Sequence, residues 1–238
     1  EADAEKAVNA YNTLKDNGMK VFIGTVTTGA CLSVISQTKA DNMFQITPSA
    51  SAAKVIANDN CFQVCFTDPN QGTASADYIA SKGLATKVAV IYNSSDAYSS
   101  GIYDNFKAEA AAKGLDLVAS EAFTGDSKQD FSSQLSKIKA SGAELIFLPI
   151  YYQEASLILS QAKNAGITAK FFGCDGLDGL LNIENFDKSL AENVMLLTPF
   201  AANATDETTK KFVTAYNAKY DPSTLNQFAA DAYDAVYV

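Results

Sequence analysis

Two kinds of side chain in this sequence are spaced for chemistry: hydroxyls that follow short apolar runs, and aspartates in a glycine-rich turn. The hydroxyl-bearing stretches read Thr25-Val-Thr-Thr-Gly29, Thr47-Pro-Ser-Ala-Ser51 and Asn93-Ser-Ser-Asp-Ala-Tyr98. Two more loops read Pro149-Ile-Tyr-Tyr152 and Gly173-Cys-Asp-Gly-Leu-Asp178, the latter carrying carboxylates. Thr27 and Thr28, with the amides of Gly29 and Ala30 at a helix start, suit a small anion such as a carboxylate. Ordinary N-capping by Thr27 or Thr28 accounts for the same residues, and Ser49 and Ser51 after Pro48 are also common turn residues. Asp175 and Asp178 fit acid–base catalysis only if both are aimed at one substrate bond, and Asp178 serves equally as a cap for the 179–181 turn. A single aspartate facing a cleft is better suited to a cation. Tyr98, Tyr151 and Tyr152 are placed either to wall a pocket or simply to pack. Taken together, hydroxyls and helix-end amides on one side, with a carboxylate and aromatic walls on the other, suit a zwitterion.

The residues that are missing exclude a good deal. Histidine, tryptophan and arginine are all absent, and the 18 basic residues are lysines. Without histidine there is no Ser-His-Asp or Cys-His catalysis and no His-ligated metal. Without arginine there is no bidentate fork for carboxylate or phosphate. The net charge of −9 and the scattered lysines give no electrostatic footprint for nucleic acid. No apolar run approaches the ~20 residues of a membrane-spanning helix. Gly24-Thr-Val-Thr-Thr-Gly29 has P-loop glycine spacing but continues as Ala30-Cys31, without the phosphate-binding lysine. The four cysteines, Cys31, Cys61, Cys65 and Cys174, make no zinc signature. On a strand Cys61 and Cys65 would be ~13 Å apart, too far for a local disulfide. They read as small core residues, with a tertiary disulfide as the other option.

The elements that must position these residues alternate. Short β-branched or aromatic runs at 21–25, 43–47, 87–92, 145–149 and 170–173 predict strands, and weaker runs lie at 61–66, 117–122 and 194–198. Helical periodicity covers 28–41, 69–81, 99–113, 131–140, 153–165 and 206–220. Gly18, Gly114, Gly142 and Gly166 each close a helix before a strand. Strands that alternate with helices and are apolar on both faces predict parallel sheets covered on both sides. In such sheets ligands gather beyond the carboxyl ends of the strands, where the five loops lie. The extended crossings Phe66-Thr-Asp-Pro69 and Leu197-Thr-Pro-Phe200 divide the chain into lobe 1, residues 1–66 and 199–238, and lobe 2, residues 67–198. A helical stripe begins at Ala7 and the last residues end in mid-helix, so a fragment truncated at both ends is expected.

At these residues the chain resembles the type I periplasmic-binding-protein superfamily, specifically the leucine/isoleucine/valine-type substrate-binding proteins of ABC transporters. The markers, in order, are Ala7-Val-Asn-Ala-Tyr-Asn-Thr-Leu14, Val21-Phe-Ile-Gly24, Gln45-Ile-Thr-Pro-Ser-Ala-Ser51 and Phe66-Thr-Asp-Pro-Asn-Gln-Gly72. Lys87-Val-Ala-Val-Ile-Tyr92, Tyr98-Ser-Ser-Gly101, Asp130-Phe-Ser-Ser-Gln-Leu-Ser-Lys-Ile-Lys139, Ile146-Phe-Leu-Pro-Ile-Tyr-Tyr-Gln-Glu154 and Phe172-Gly-Cys-Asp-Gly176 follow. The resemblance implies an α/β fold of two doubly wound parallel-sheet lobes. It implies that Thr28 binds a ligand carboxylate, that Ser49 and Ser51 meet carboxylate and ammonium, that Tyr98 and Tyr151 close over the ligand, and that Asp175 pairs with the ammonium. The implied function is extracytoplasmic capture of a free amino acid and delivery to ABC permease subunits, without catalysis, cofactor or metal. A hydrophobic or branched-chain ligand is favoured, because the remaining pocket groups add no charge. The same fold also serves as a sensor domain in amino-acid or amide receptors and regulators. Any membrane attachment would run through a lipid anchor outside these residues, as in a lipoprotein.

Overall fold

In the computed structural model, residues 2–238 are described, and Glu1, the first residue of the expected lobe 1, lies outside them. The chain forms two compact units: Glu1–Asp68 with Asn226–Val238, and Pro69–Leu225.

Unit 1 begins with α1 (Ala4–Asp16), β1 (Val21–Ile23), α2 (Thr28–Ala40), β2 (Phe44–Thr47) and β3 (Cys61–Gln63). The three strands pair in the order β1-β2-β3, all parallel. Because side chains alternate along a strand, Phe22, Gln45 and Cys61 share one face, and all three are buried. Tyr11, Phe22, Val34 and Met43 make the core on that side, with the rings of Tyr11 and Phe22 edge to face at 5.4 Å. The opposite face departs from the expectation of two covered faces. Val21, Ile23, Phe44 and Phe62 are exposed there, and Phe44 stacks on Phe62 at 5.3 Å.

Unit 2 starts with α3 (Asp68–Ser81), whose first residue closes unit 1. It continues through β4 (Lys87–Asn93), α4 (Ala97–Ala112), β5 (Asp116–Phe123), α5 (Ser132–Ser141), β6 (Leu145–Leu148), α6 (Tyr152–Asn164), β7 (Lys170–Gly173), β8 (Val194–Leu196) and α7 (Glu207–Asn217). The strands lie in the order β5-β4-β6-β7-β8, all parallel. Residues 88–91 of β4 and all of β6 are apolar because both faces are buried there. Val88, Val90, Leu145 and Phe147 pack with Ile79, Ile102 and Phe106 from α3 and α4. Ala89, Ile91, Ile146 and Leu148 pack with Leu135, Ile138 and Ile158 from α5 and α6. This is a doubly wound sheet, and its strand order reverses between β4 and β6, the crevice where ligands bind in such folds. The four helix-closing glycines all take left-handed backbone, with φ between 67 and 90°.

The chain then returns to unit 1 as α8 (Gln227–Tyr237), which packs against β1 and β2. Residues 199–225, expected with lobe 1, group with unit 2 instead. Leu225 lines a groove in unit 2 together with Leu180, Val194 and Leu196, while Phe200 and Phe212 pack edge to face. Among the described residues, no helix is long and apolar enough to cross a membrane.

Candidate functional site

In unit 1 the site residues cluster where β1 and β2 end. Thr27 is the N-cap of α2 by backbone position, yet its side chain makes no capping hydrogen bond. Thr28, only 1% exposed, is used differently: its hydroxyl oxygen accepts from the backbone N–H of Ser51 at 3.2 Å and of Ala52 at 3.4 Å. Two accepted bonds leave the Thr28 proton as the group's remaining capacity, to be donated. The same turn is pinned from below, where Thr47 Oγ1 accepts from the Ala50 N–H at 3.0 Å and donates to the Thr25 carbonyl. Ser51 is 1% exposed, and its hydroxyl has no hydrogen-bond partner among the described residues. Ser49 lies in the same turn, 5% exposed.

The floor under this cluster is polar and fully used. Buried Gln45 donates from Nε2 to the Gly24 carbonyl at 3.0 Å and to Cys31 Sγ at 3.3 Å, and its Oε1 accepts from the Thr38 hydroxyl at 2.8 Å. Cys31 and Cys61 are buried thiols, and burial pushes the Cys31 thiol up to about 11. With its first-turn amides and no anionic side chain in its first turn, the N-terminus of α2 carries net positive potential beside two buried hydroxyls. That set is chemically suited to an anion.

In unit 2 the loops after β4, β6 and β7 supply Tyr98, Tyr151 and Asp175, and the structure brings all three together. Tyr98 sits in the first turn of α4, whose N-cap Asp96 accepts from the Ser99 N–H at 3.1 Å. Burial raises the Asp96 carboxyl, an effect partly offset by the amides it holds. Tyr151 is the N-cap of α6, and its ring stacks on Tyr98 at 4.7 Å between centroids, 19° from parallel. Asp175 opens a 3-10 turn, Asp175–Leu177, and is 3% exposed. The Tyr98 hydroxyl donates to Asp175 Oδ1 at 2.6 Å and accepts from the Gly176 N–H at 2.9 Å. Burial, and then the negative charge of Asp175, hold the Tyr98 phenol well above its usual range, so it stays a proton donor at any physiological pH.

Asp178 closes the same 3-10 turn, and the residue capping the next one is Gly179, so the capping alternative for Asp178 is not the one taken. Sequence reasoning missed two participants. Gln71 accepts from the Asp175 N–H at 3.2 Å, and Gly176 lies where a Cβ would collide with the Tyr98 hydroxyl. Gly176 was visible as a small residue beside an aspartate, and Gln71 only as part of the Asp-Pro-Asn-Gln-Gly run. Among the described residues no group of three or more His, Cys, Asp or Glu side chains is placed to hold a metal ion.

A family model for periplasmic binding proteins matches residues 1–238. The chain is 31% identical to the Leu/Ile/Val-binding protein homolog 3 of Brucella melitensis, over 99% of this chain and 63% of that protein. It is 28% identical to the leucine-, isoleucine-, valine-, threonine- and alanine-binding protein of Pseudomonas aeruginosa, over 99% of this chain and 62% of that one. Among solved structures, the branched-chain amino acid transporter substrate-binding protein LivJ of Streptococcus pneumoniae, in complex with isoleucine, superposes with a TM-score of 0.89 at 28% identity. That match covers 99% of this chain and 67% of LivJ. The chain thus spans under two thirds of the length of these curated relatives.

Proposed function

Because this chain belongs to the periplasmic binding protein family, we propose that it binds a free amino acid outside the cytoplasm and delivers it to the membrane subunits of an ABC transporter. The observation that carries this reading is the treatment of Asp175. A carboxylate that is 3% exposed, oriented by a phenol at 2.6 Å and flanked by two stacked tyrosines, is built to receive a cation bearing an apolar body. Unit 1, taken by itself, carries a set suited to a carboxylate, the other charged group of an amino acid: the Thr28 and Ser51 hydroxyls and the amides that open α2. Ser49 completes the hydroxyl turn. No lysine belongs to either set, so neither adds a positive charge, and the tyrosine walls favour a hydrophobic or branched side chain. Relatives named for leucine, isoleucine and valine, and a neighbour with isoleucine bound, support the same ligand class. In this reading the chain makes and breaks no bond.

Calorimetry with a panel of free amino acids tests the reading. Micromolar or tighter binding of at least one aliphatic amino acid is expected. Asp175→Ala should weaken it about a hundredfold or more, since breaking a buried ion pair costs about 3–5 kcal/mol. Binding of sugars or purines alone would refute the assignment.

A further inference from the structure

Gln71 is fully buried on the first turn of α3, three residues past the last residue of unit 1. Among the described residues its one hydrogen bond is accepted by Oε1 from the Asp175 N–H, 104 positions along the chain, while its Nε2 has no partner. If Gln71 only filled space, methionine or leucine would do so without leaving a buried amide nitrogen unsatisfied. The polar side chain is therefore explained by the one bond it makes. The helix carrying it is held at fixed spacing from the helix carrying Tyr98. At Gly72 the backbone of α3 approaches α4 so closely that a Cβ would sit 2.6 Å from the Ile102 carbonyl oxygen and 2.7 Å from the Phe106 nitrogen. Two helices in backbone contact thus grip one short turn, α4 through the Asp175 carboxylate and α3 through its amide.

We infer that Gln71 is a positioning residue for recognition of the ligand's ammonium group: it fixes the backbone of Asp175 so that the carboxylate stands ready before ligand arrives. The inference rests on the amino-acid-binding reading and deepens it. It separates Gln71 from a general packing role, because a positioning residue affects only ligands that use Asp175.

The test compares leucine with 4-methylpentanoate, which has the same carbon skeleton and carboxylate but no ammonium. Gln71→Met keeps the volume and removes the acceptor. Gln71→Asn keeps the amide but shortens it, and serves if the methionine variant folds poorly. Expected are at least tenfold faster amide hydrogen exchange at Asp175, with β4 amides unchanged, and at least a fivefold fall in the preference for leucine over 4-methylpentanoate. Adding Asp175→Asn to Gln71→Met should then lower that preference by less than it does in the parent. Unchanged exchange at Asp175 overturns the inference, as does an equal loss of both ligands. A parent protein that does not prefer leucine, or whose preference survives Asp175→Asn, overturns the amino-acid reading instead, and exchange at Asp175 then decides the role of Gln71 by itself.

Discussion

Replacing Gly176 by alanine is expected to destabilise unit 2, and to do so through Tyr98. The new Cβ would lie 2.7 Å from the Ile150 carbonyl oxygen, 2.7 Å from the Tyr98 hydroxyl and 3.2 Å from Tyr151 Cδ1. Comfortable carbon–oxygen contacts begin at about 3.3 Å, so roughly half an ångström must be found. Ile150 is buried and follows β6 closely, which leaves the phenol as the softer neighbour. Moving it stretches a 2.6 Å bond to Asp175 and a 2.9 Å bond from Gly176. Overpacking of this kind costs about 1–3 kcal/mol, and losing a hydrogen bond to a charged group costs about 1.5–3 kcal/mol when complete. A total of about 2–4 kcal/mol follows, equivalent to roughly 4–16 °C in melting temperature at about 2–4 °C per kcal/mol. Tyr98→Phe removes the hydroxyl that obstructs the methyl, so the alanine should cost at least about 1 kcal/mol less in that background, beyond the ~0.5 kcal/mol scatter of independent sites. Urea unfolding of the parent, both single variants and the double variant, followed by circular dichroism, measures the coupling. Equal alanine costs in the two backgrounds, or no cost at all, would show that the glycine is not there for Tyr98.

Two further outcomes are expected in unit 1. Thr28→Val keeps the shape but withdraws the acceptor from the Ser51 and Ala52 amides, so their hydrogen exchange should accelerate and stability should fall by about 1–3 kcal/mol. The Cys31 thiol, pushed up to about 11 from an ordinary value near 9, favours the folded state only while it is protonated. Its contribution is complete below pH 9 and is lost as the pH rises through about 11, amounting to about 2–3 kcal/mol at 1.36 kcal/mol per pH unit. Urea unfolding at pH 8 and pH 10.5 should show the loss in the parent and a smaller one in Cys31→Ala.

What the sequence made legible was periodic or local. A strand at 170–173 and helices at 28–41 and 153–165 were readable within a residue, because apolar alternation and closing glycines report burial directly. Tyr98, Tyr151 and Asp175 could be nominated together because parallel topology places all post-strand loops at one end of the sheet. What stayed hidden depends on distant partners. The bond from Asp175 to Gln71 spans 104 positions, and no local spacing encodes it. Thr27 and Thr28 looked interchangeable as caps, and only the position of the Ser51 amide separates them. The return to unit 1 comes at Asn226 and not near 199, since the proline crossing at Leu197–Phe200 resembled a unit boundary while the packing of Leu225 left no sequence mark.

The division of the chain also sets an order of events during synthesis. Unit 2 is one continuous stretch, Pro69–Leu225, whereas unit 1 closes only with Asn226–Val238. At about 5–20 residues per second, the ribosome needs on the order of ten to thirty seconds between the end of the first segment and the arrival of α8. Throughout that interval β1 and β2 lack the helix that packs against them, and Val21, Ile23, Phe44 and Phe62 remain exposed even after it arrives. Unit 2 can complete its sheet during the same interval. Unit 1 is thus begun before unit 2 and closed after it, so β1 and β2 wait for a helix that a whole domain separates from them.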